Sequence, residues 1–194
     1  GAYGFQGQKC SACSRAIVHE AVYDTVLEKV VEKTKALKIG DAKDNHAVTP
    51  VINQAAVDKI LSYIEIGKKE GRLMCGGKRA ETDHEGYYIE PTVFADIDRN
   101  ARIAQEEIFG PVVAFIKVKD VDEALEIAND TQYGLTGGFF SNSKETLAKA
   151  ARTFDVGNLY LNRKNTGALV GAQPFGGFNL SGNNAQAGGE DYLK

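Results

Sequence analysis

Seven residues from Val112 to Val118 read Val-Val-Ala-Phe-Ile-Lys-Val, with one charge among six apolar side chains. A strand with one wet face alternates polar and apolar residues, whereas a near-continuous apolar, β-branched run marks a strand covered on both faces. Such a strand needs a layer of structure on each side, and the flanking sequence offers helices. Glu20 to Lys38 places Val22, Val26, Val30 and Leu37 near one helical stripe, with Gly40 as a stop. Gln54 to Glu70 repeats Val57, Ile60, Leu61 and Ile64 at three- and four-residue spacing, and Gly71 is expected as a left-handed cap.

Further strands are expected at Ala16–Val18, Leu73–Cys75, Tyr88–Val93, Leu135–Phe140 and Asn158–Asn162. Helices are expected from Asp120, where Glu123 suggests a capping box, through Ala128, and from a Ser143 cap to Phe154. Strands alternating with helices predict an α/β fold, a largely parallel open sheet flanked by helices. The glycine-rich stretch from Gly167 to Gly189 lacks a sustained period and reads as loop, with Pro174 and paired glycines fixing its turns. No linker or repeat divides the 194 residues, which are expected to form one domain with a full core.

Twenty-three basic and 26 acidic residues leave a net charge of −3 without a basic run, so nucleic acid and anionic membrane are not expected partners. No apolar stretch approaches the roughly 18 residues that span a bilayer, and no signal peptide is visible; a cytoplasmic setting is the expectation. Cys10, Cys13 and Cys75 are too few and too unevenly spaced for a disulfide framework.

Cys10 and Cys13 form a Cys-x-x-Cys pair in the segment Gly4-Phe5-Gln6-Gly7-Gln8-Lys9-Cys10-Ser11-Ala12-Cys13-Ser14-Arg15. A structural zinc site needs four ligands, and Cys75 with the scattered His19, His46 and His84 offers no second pair, so no metal is expected. A redox dithiol finds no other support. Burial as small apolar side chains is the reading for Cys13 and Cys75.

For Cys10 the surrounding motifs point elsewhere. The segment resembles the nucleophile segment of the aldehyde dehydrogenase superfamily, and three further stretches match in order: Glu106-Glu107-Ile108-Phe109-Gly110-Pro111, Tyr133-Gly134-Leu135-Thr136, and Pro174-Phe175-Gly176-Gly177 with Ser181-Gly182. Each is weak alone; four in order across nearly the whole chain form a strong signal. The resemblance implies the fold of that family's C-terminal catalytic domain, with Cys10 as the nucleophile. A thiolate attacks the aldehyde, hydride passes to NAD, and water hydrolyses the resulting thioester. The resemblance further implies that the Cys10 N–H helps to hold the oxyanion, that Glu107 accepts from the nicotinamide ribose, and that Phe109 packs beside the nicotinamide.

The stretch Asn165-Thr166-Gly167-Ala168-Leu169-Val170-Gly171 is similar to the anchor loop of the 1-pyrroline-5-carboxylate dehydrogenases. That likeness implies L-glutamate γ-semialdehyde as substrate, oxidised to glutamate in proline and arginine breakdown. Gly167 and Ala168 would give backbone N–H groups to its α-carboxylate, Ser11 a hydroxyl, and Phe175 an apolar wall. Arg15, Arg163 and Lys164 gain no direct role from the resemblance and read as solvated surface.

Members of this family are roughly twice as long. The NAD-binding domain, the glutamate that activates water and the asparagine that completes the oxyanion site are expected before residue 1, and an oligomerisation strand after residue 194. The parent is expected to be a homo-oligomer, and these residues alone to turn over negligibly. Two rival readings are a dehydrogenase for another carboxylated semialdehyde, such as succinate semialdehyde, and a non-catalytic module for association or ligand binding.

Overall fold

A computed structural model describes residues 1–169, 172–173 and 175–182. The expectations placed on Val170, Gly171, Pro174 and 183–194 lie outside the described residues. Contacts divide the chain into two compact units: a larger one, Ala2–Asp120, and a smaller one, Val121–Lys194 with Gly1.

The larger unit is built around the apolar run Val112–Val118. β4 (Val112–Val118) lies between β1 (Arg15–His19) and β3 (Thr92–Ala95), parallel to both, and β2 (Arg72–Cys75) pairs antiparallel with β3. Every residue of β4 except Lys117 is buried. The two faces are covered by different helices, α1 (Glu20–Lys35) and α2 (Gln54–Glu70). Tyr23 and Leu27 of α1 pack with Val93, Ala95, Val113 and Phe115, the Tyr23 ring meeting Phe115 edge-on at 6.3 Å. Phe94, between Val93 and Ala95, faces the other way, against Gly67 of α2, where a Cβ would come 2.7 Å from its ring. This is the two-residue period of a pleated strand. Each large apolar side chain so buried contributes about 1.5–3 kcal/mol.

Three expectations need correction. The buried stripe of α1 is Tyr23, Leu27 and Thr34, with Val22 half exposed. Val26 and Val30 of the expected stripe do pack against this core, partly buried, while Tyr23, ring in the core, hydrogen-bonds through its hydroxyl to Asp96; the helix also ends at Lys35 rather than Lys38. Gly71 is extended, not left-handed. A side chain there would press on Ile97 and come 2.7 Å from the Ala95 carbonyl, so glycine supplies room rather than a positive φ. The run from Tyr88 to Val93 is not one strand. Ile89 bridges Arg79, β3 begins at Thr92, and Pro91, with no N–H to give, stands between them.

In the smaller unit β5 (Thr136–Phe139) and β6 (Asn158–Leu161) pair in parallel, with α4 (Val121–Asn129) before β5 and α5 (Lys144–Thr153) between the two strands in sequence. Ser143 caps α5, its Oγ accepting from the Thr146 N–H at 3.2 Å. Asn129 joins the ends of α4 and α5, donating to the Thr153 carbonyl and accepting from the Asp155 N–H. Together the strands make a mixed α/β fold that is mostly parallel, as expected. Among the described residues no helix is long and apolar enough to cross a membrane.

Candidate active site

Cys10 sits in a turn before β1 and is exposed, whereas Cys13 and Cys75 are partly buried against the core of the larger unit. Burial pushes both of those thiols up from the ordinary cysteine value, and the Cys13 thiol donates to the Arg15 carbonyl at 3.4 Å. Among the described residues the Cys10 N–H meets no acceptor. Ser11, the next residue, is half-buried.

The chain approaches Cys10 through an uncommon conformation. Phe5, Gln6 and Gly7 follow one another with φ of 56°, 57° and 68°. Only glycine takes that region without cost, so the turn must be held from outside. With its amide oriented to satisfy both ends, the Gln6 oxygen accepts from the Thr49 N–H at 2.9 Å and the Thr49 hydroxyl at 2.8 Å, and its nitrogen donates to the Phe5 carbonyl at 3.3 Å. Gln8 accepts from the Ile52 N–H at 3.0 Å. Gly7 lies against the backbone of Gly110, where a Cβ would overlap the carbonyl oxygen.

That last contact brings two of the sequence motifs together. Glu106-Glu107-Ile108-Phe109-Gly110-Pro111 follows α3 (Arg102–Gln105), and its two glutamates have different surroundings. Glu106 takes a two-point hydrogen bond from Arg102, at 2.8 and 2.9 Å, and another from the Tyr63 hydroxyl at 2.7 Å. The guanidinium pairing, then the phenol, pull its carboxyl down to about 2. Glu107 is exposed. Phe109 has a φ of 59° and keeps 42% of its surface accessible. Among the described residues seven non-glycine positions have positive φ; four are Asn or Asp, which tolerate it, and the other three are Phe5, Gln6 and Phe109. Backbone strain therefore falls on the two motifs, as it does at functional sites.

Gln8, Glu107 and Phe109 share a cleft of about 300 Å³ with Ile52, Ala56, Lys59, Ile60 and Ile108. Its apolar walls and single carboxylate suit a flat heteroaromatic ring joined to a sugar diol, so these residues fit the nicotinamide riboside half of a dinucleotide.

The remaining two motifs meet in the smaller unit. The Gly134 N–H donates to Ser181 Oγ at 3.0 Å, its carbonyl accepts from Gly157 and Phe178, and a side chain on Gly157 would overlap the Gly176 carbonyl. These glycines let backbones touch. Gly167 is exposed with φ of 111°, while Ala168 and Phe175 are half-buried.

Arg163 is not simply solvated. Its guanidinium lies 4.7 Å over the Tyr160 ring and donates to the Thr166 carbonyl at 3.3 Å. Sequence reasoning also missed Gln6, for which no local signal existed, and the Arg102–Glu106 pair, whose four-residue spacing was a signal.

An exposed cysteine on a clasped glycine turn and a strained Glu-Glu-Ile-Phe-Gly-Pro motif thus come together in an α/β fold that matches the aldehyde dehydrogenase family. The chain belongs to that family, whose sequence model, the aldehyde dehydrogenase family, matches residues 1–194. It is 64% identical over 193 residues to the 1-pyrroline-5-carboxylate dehydrogenase of Geobacillus sp. (strain WCH70), covering 99% of this chain and 37% of that protein. With the enzyme of the same name from Staphylococcus epidermidis it shares 59% over 192 residues, at 99% and 37% coverage. The structure of a 1-pyrroline-5-carboxylate dehydrogenase from Thermus with bound NAD superposes with a TM-score of 0.95 at 59% identity, covering 99% of this chain and 37% of that one. The chain thus spans little more than a third of the length of the relatives it matches.

Proposed function

We propose that residues 1–194 are the catalytic domain of an NAD-dependent dehydrogenase that oxidises L-glutamate γ-semialdehyde to L-glutamate. The observation that carries the reading is the Gly7–Gly110 contact, which ties the exposed Cys10 to the motif bearing Glu107 and Phe109.

Cys10, as thiolate, attacks the aldehyde carbon, and the carbonyl oxygen becomes an oxyanion that the Cys10 N–H stabilises. NAD, when bound, supplies the hydride acceptor. Glu107 would accept from the ribose hydroxyls, and Phe109 would pack beside the nicotinamide. Loss of hydride from the thiohemiacetal carbon leaves a thioester on Cys10, which water hydrolyses to the carboxylate, freeing the thiol. Within the smaller unit, the Gly167 and Ala168 N–H groups take the α-carboxylate and Phe175 lines the apolar part of the substrate. Ser11, in the larger unit, is a further substrate-binding residue. No residue here is assigned as the base that activates water, so turnover by 1–194 alone is expected to be negligible. A soluble cytoplasmic setting and a homo-oligomeric parent complete the reading.

The test grafts residues 1–194 in place of the matching segment of the Geobacillus relative and follows NADH with glutamate semialdehyde. The graft should turn over, and Cys10→Ala should lower kcat by about 10³-fold or more, as loss of a nucleophile does. A Cys10→Ala graft as active as its parent would overturn the reading.

A further inference from the structure

Arg163 occupies an unusual place for a surface cation. Its planar guanidinium lies 4.7 Å over the Tyr160 ring, a side chain with only 8% of its surface exposed, and Nη2 donates to the Thr166 carbonyl at 3.3 Å. The next residue is Gly167, where a Cβ would stand 3.0 Å from that same nitrogen. One guanidinium therefore bonds the residue before the bend and occupies the space a side chain at the bend would take, where the backbone turns to a φ of 111°. Thr166 is itself buried, so the bend is held from beneath as well as from the side.

Beyond that bend, the Leu169 N–H is occupied by Gln173 Oε1 at 3.0 Å. The Gly167 and Ala168 N–H groups meet no acceptor among the described residues, and no carboxylate of those residues pairs with Arg163. Two amide donors without an acceptor among the described residues thus follow, four and five residues on, a guanidinium that no carboxylate among those residues pairs with. Free amide donors beside a cation favour an anion. Arg163 points no second hydrogen-bonding fork at the loop, so its part is to hold the turn in register and to set the local field.

We infer that Arg163 is a positioning residue for carboxylate binding by the Gly167–Ala168 turn, acting through its stack on Tyr160 and its bond to the Thr166 carbonyl. This rests on the proposal that the turn takes the α-carboxylate of the substrate. It assigns the rigidity of that turn to a residue outside the resemblance. Lysine cannot replace it, because an ammonium does not lie flat on a ring while donating to a carbonyl beside it.

The test uses the 194-residue chain labelled with 15N and two ligands that differ by the carboxylate alone, L-norvaline and butylamine. Norvaline should shift the Gly167 and Ala168 amide resonances and butylamine should not. Arg163→Gln and Arg163→Lys should each weaken norvaline binding at least fivefold while leaving the amide resonances of α4 and α5 in place. If norvaline leaves the turn unmoved in the unmodified chain, the carboxylate reading fails and this inference with it. If norvaline binds but either variant holds it within twofold of the unmodified chain, the inference about Arg163 fails alone. Should the glutamine variant not fold, the lysine variant decides.

Discussion

Gly7 rests on the carbonyl of Gly110, so closely that neither backbone could approach if residue 7 carried a Cβ. This contact couples the conformation of the loop before Cys10 to the motif of Glu107 and Phe109. Gly7→Ala should therefore do two things at once. It forces an L side chain to a φ of 68° and drives a methyl into a carbonyl, which together cost about 2–4 kcal/mol. Thermal denaturation should show the loss, and the alkylation rate of Cys10 should change more than that of Cys75. A variant with an unchanged Tm and an unchanged Cys10 rate would mean that the contact is incidental.

Glu106 predicts an acid-side response. Its carboxyl is held at about 2 in the folded chain by Arg102 and Tyr63, below the ordinary carboxylate value in the unfolded chain. A depressed folded pKa means that the unfolded state binds the proton first. The stabilisation is therefore complete above the unfolded value, near pH ~4.3, and is lost as pH falls towards 2. Glu106→Gln should lower stability above pH 6, where the carboxylate's contribution is complete, and flatten the fall across that window, as read from denaturation midpoints at stepped pH. The same loss with pH in the variant as in the parent would show that other carboxylates set the acid limit.

The layers were legible because they rest on periodicity. The seven-residue run of β4, the apolar spacing of α2 and the Ser143 cap each state their structure locally, and α2 and β4 begin and end where the pattern does. Where a tertiary contact decides, the sequence is silent or misleading. Tyr23 joins the buried side of α1 beside Val26 and Val30, its hydroxyl on Asp96, a partner 73 residues away. Gly71 does end α2, but in an extended conformation, and glycine is needed there to clear Ile97. At the candidate site the motifs pointed to Cys10, Glu107 and Phe109, yet little in the sequence separates Glu106 from Glu107. That distinction depends on Tyr63, one helix away, together with a pairing to Arg102 that spacing alone could suggest.

Thr49 offers a sharper test of how the nucleophile loop is held. Its hydroxyl and N–H both reach the buried Gln6 oxygen, at 2.8 and 2.9 Å. Thr49→Val keeps the shape and the N–H but removes one donor from a buried acceptor, a loss of about 1 kcal/mol. The left-handed pair Phe5 and Gln6 would then be less firmly held. Hydrogen exchange at Gln6 and Gln8 should quicken while exchange in β4 stays slow. Uniform quickening through β4 would instead report a general loss of stability.

The three thiols should separate by reactivity, because their environments differ in both access and charge cost. Cys10 is exposed, whereas Cys13 and Cys75 pack against the core and burial raises their pKa values. The thiolate is the reacting form, so at pH 7.5 iodoacetamide should modify Cys10 first, with Cys13 and Cys75 at least tenfold slower until the chain unfolds. Raised thiol pKa values also have a consequence for stability. Below the unfolded cysteine value, near pH ~8.5, both states hold the proton and stability is intact. As pH climbs from there towards the higher folded values, the unfolded chain sheds protons that the folded chain retains, and stability declines. Replacing Cys13 with alanine should reduce that alkaline decline, although it removes packing and lowers the midpoint at neutral pH. Peptide mapping of the alkylated chain, with denaturation at pH 7.5 and 9.5, measures both effects. Equal labelling of Cys10 and Cys13 in the folded chain would remove the distinction on which the choice of nucleophile rests.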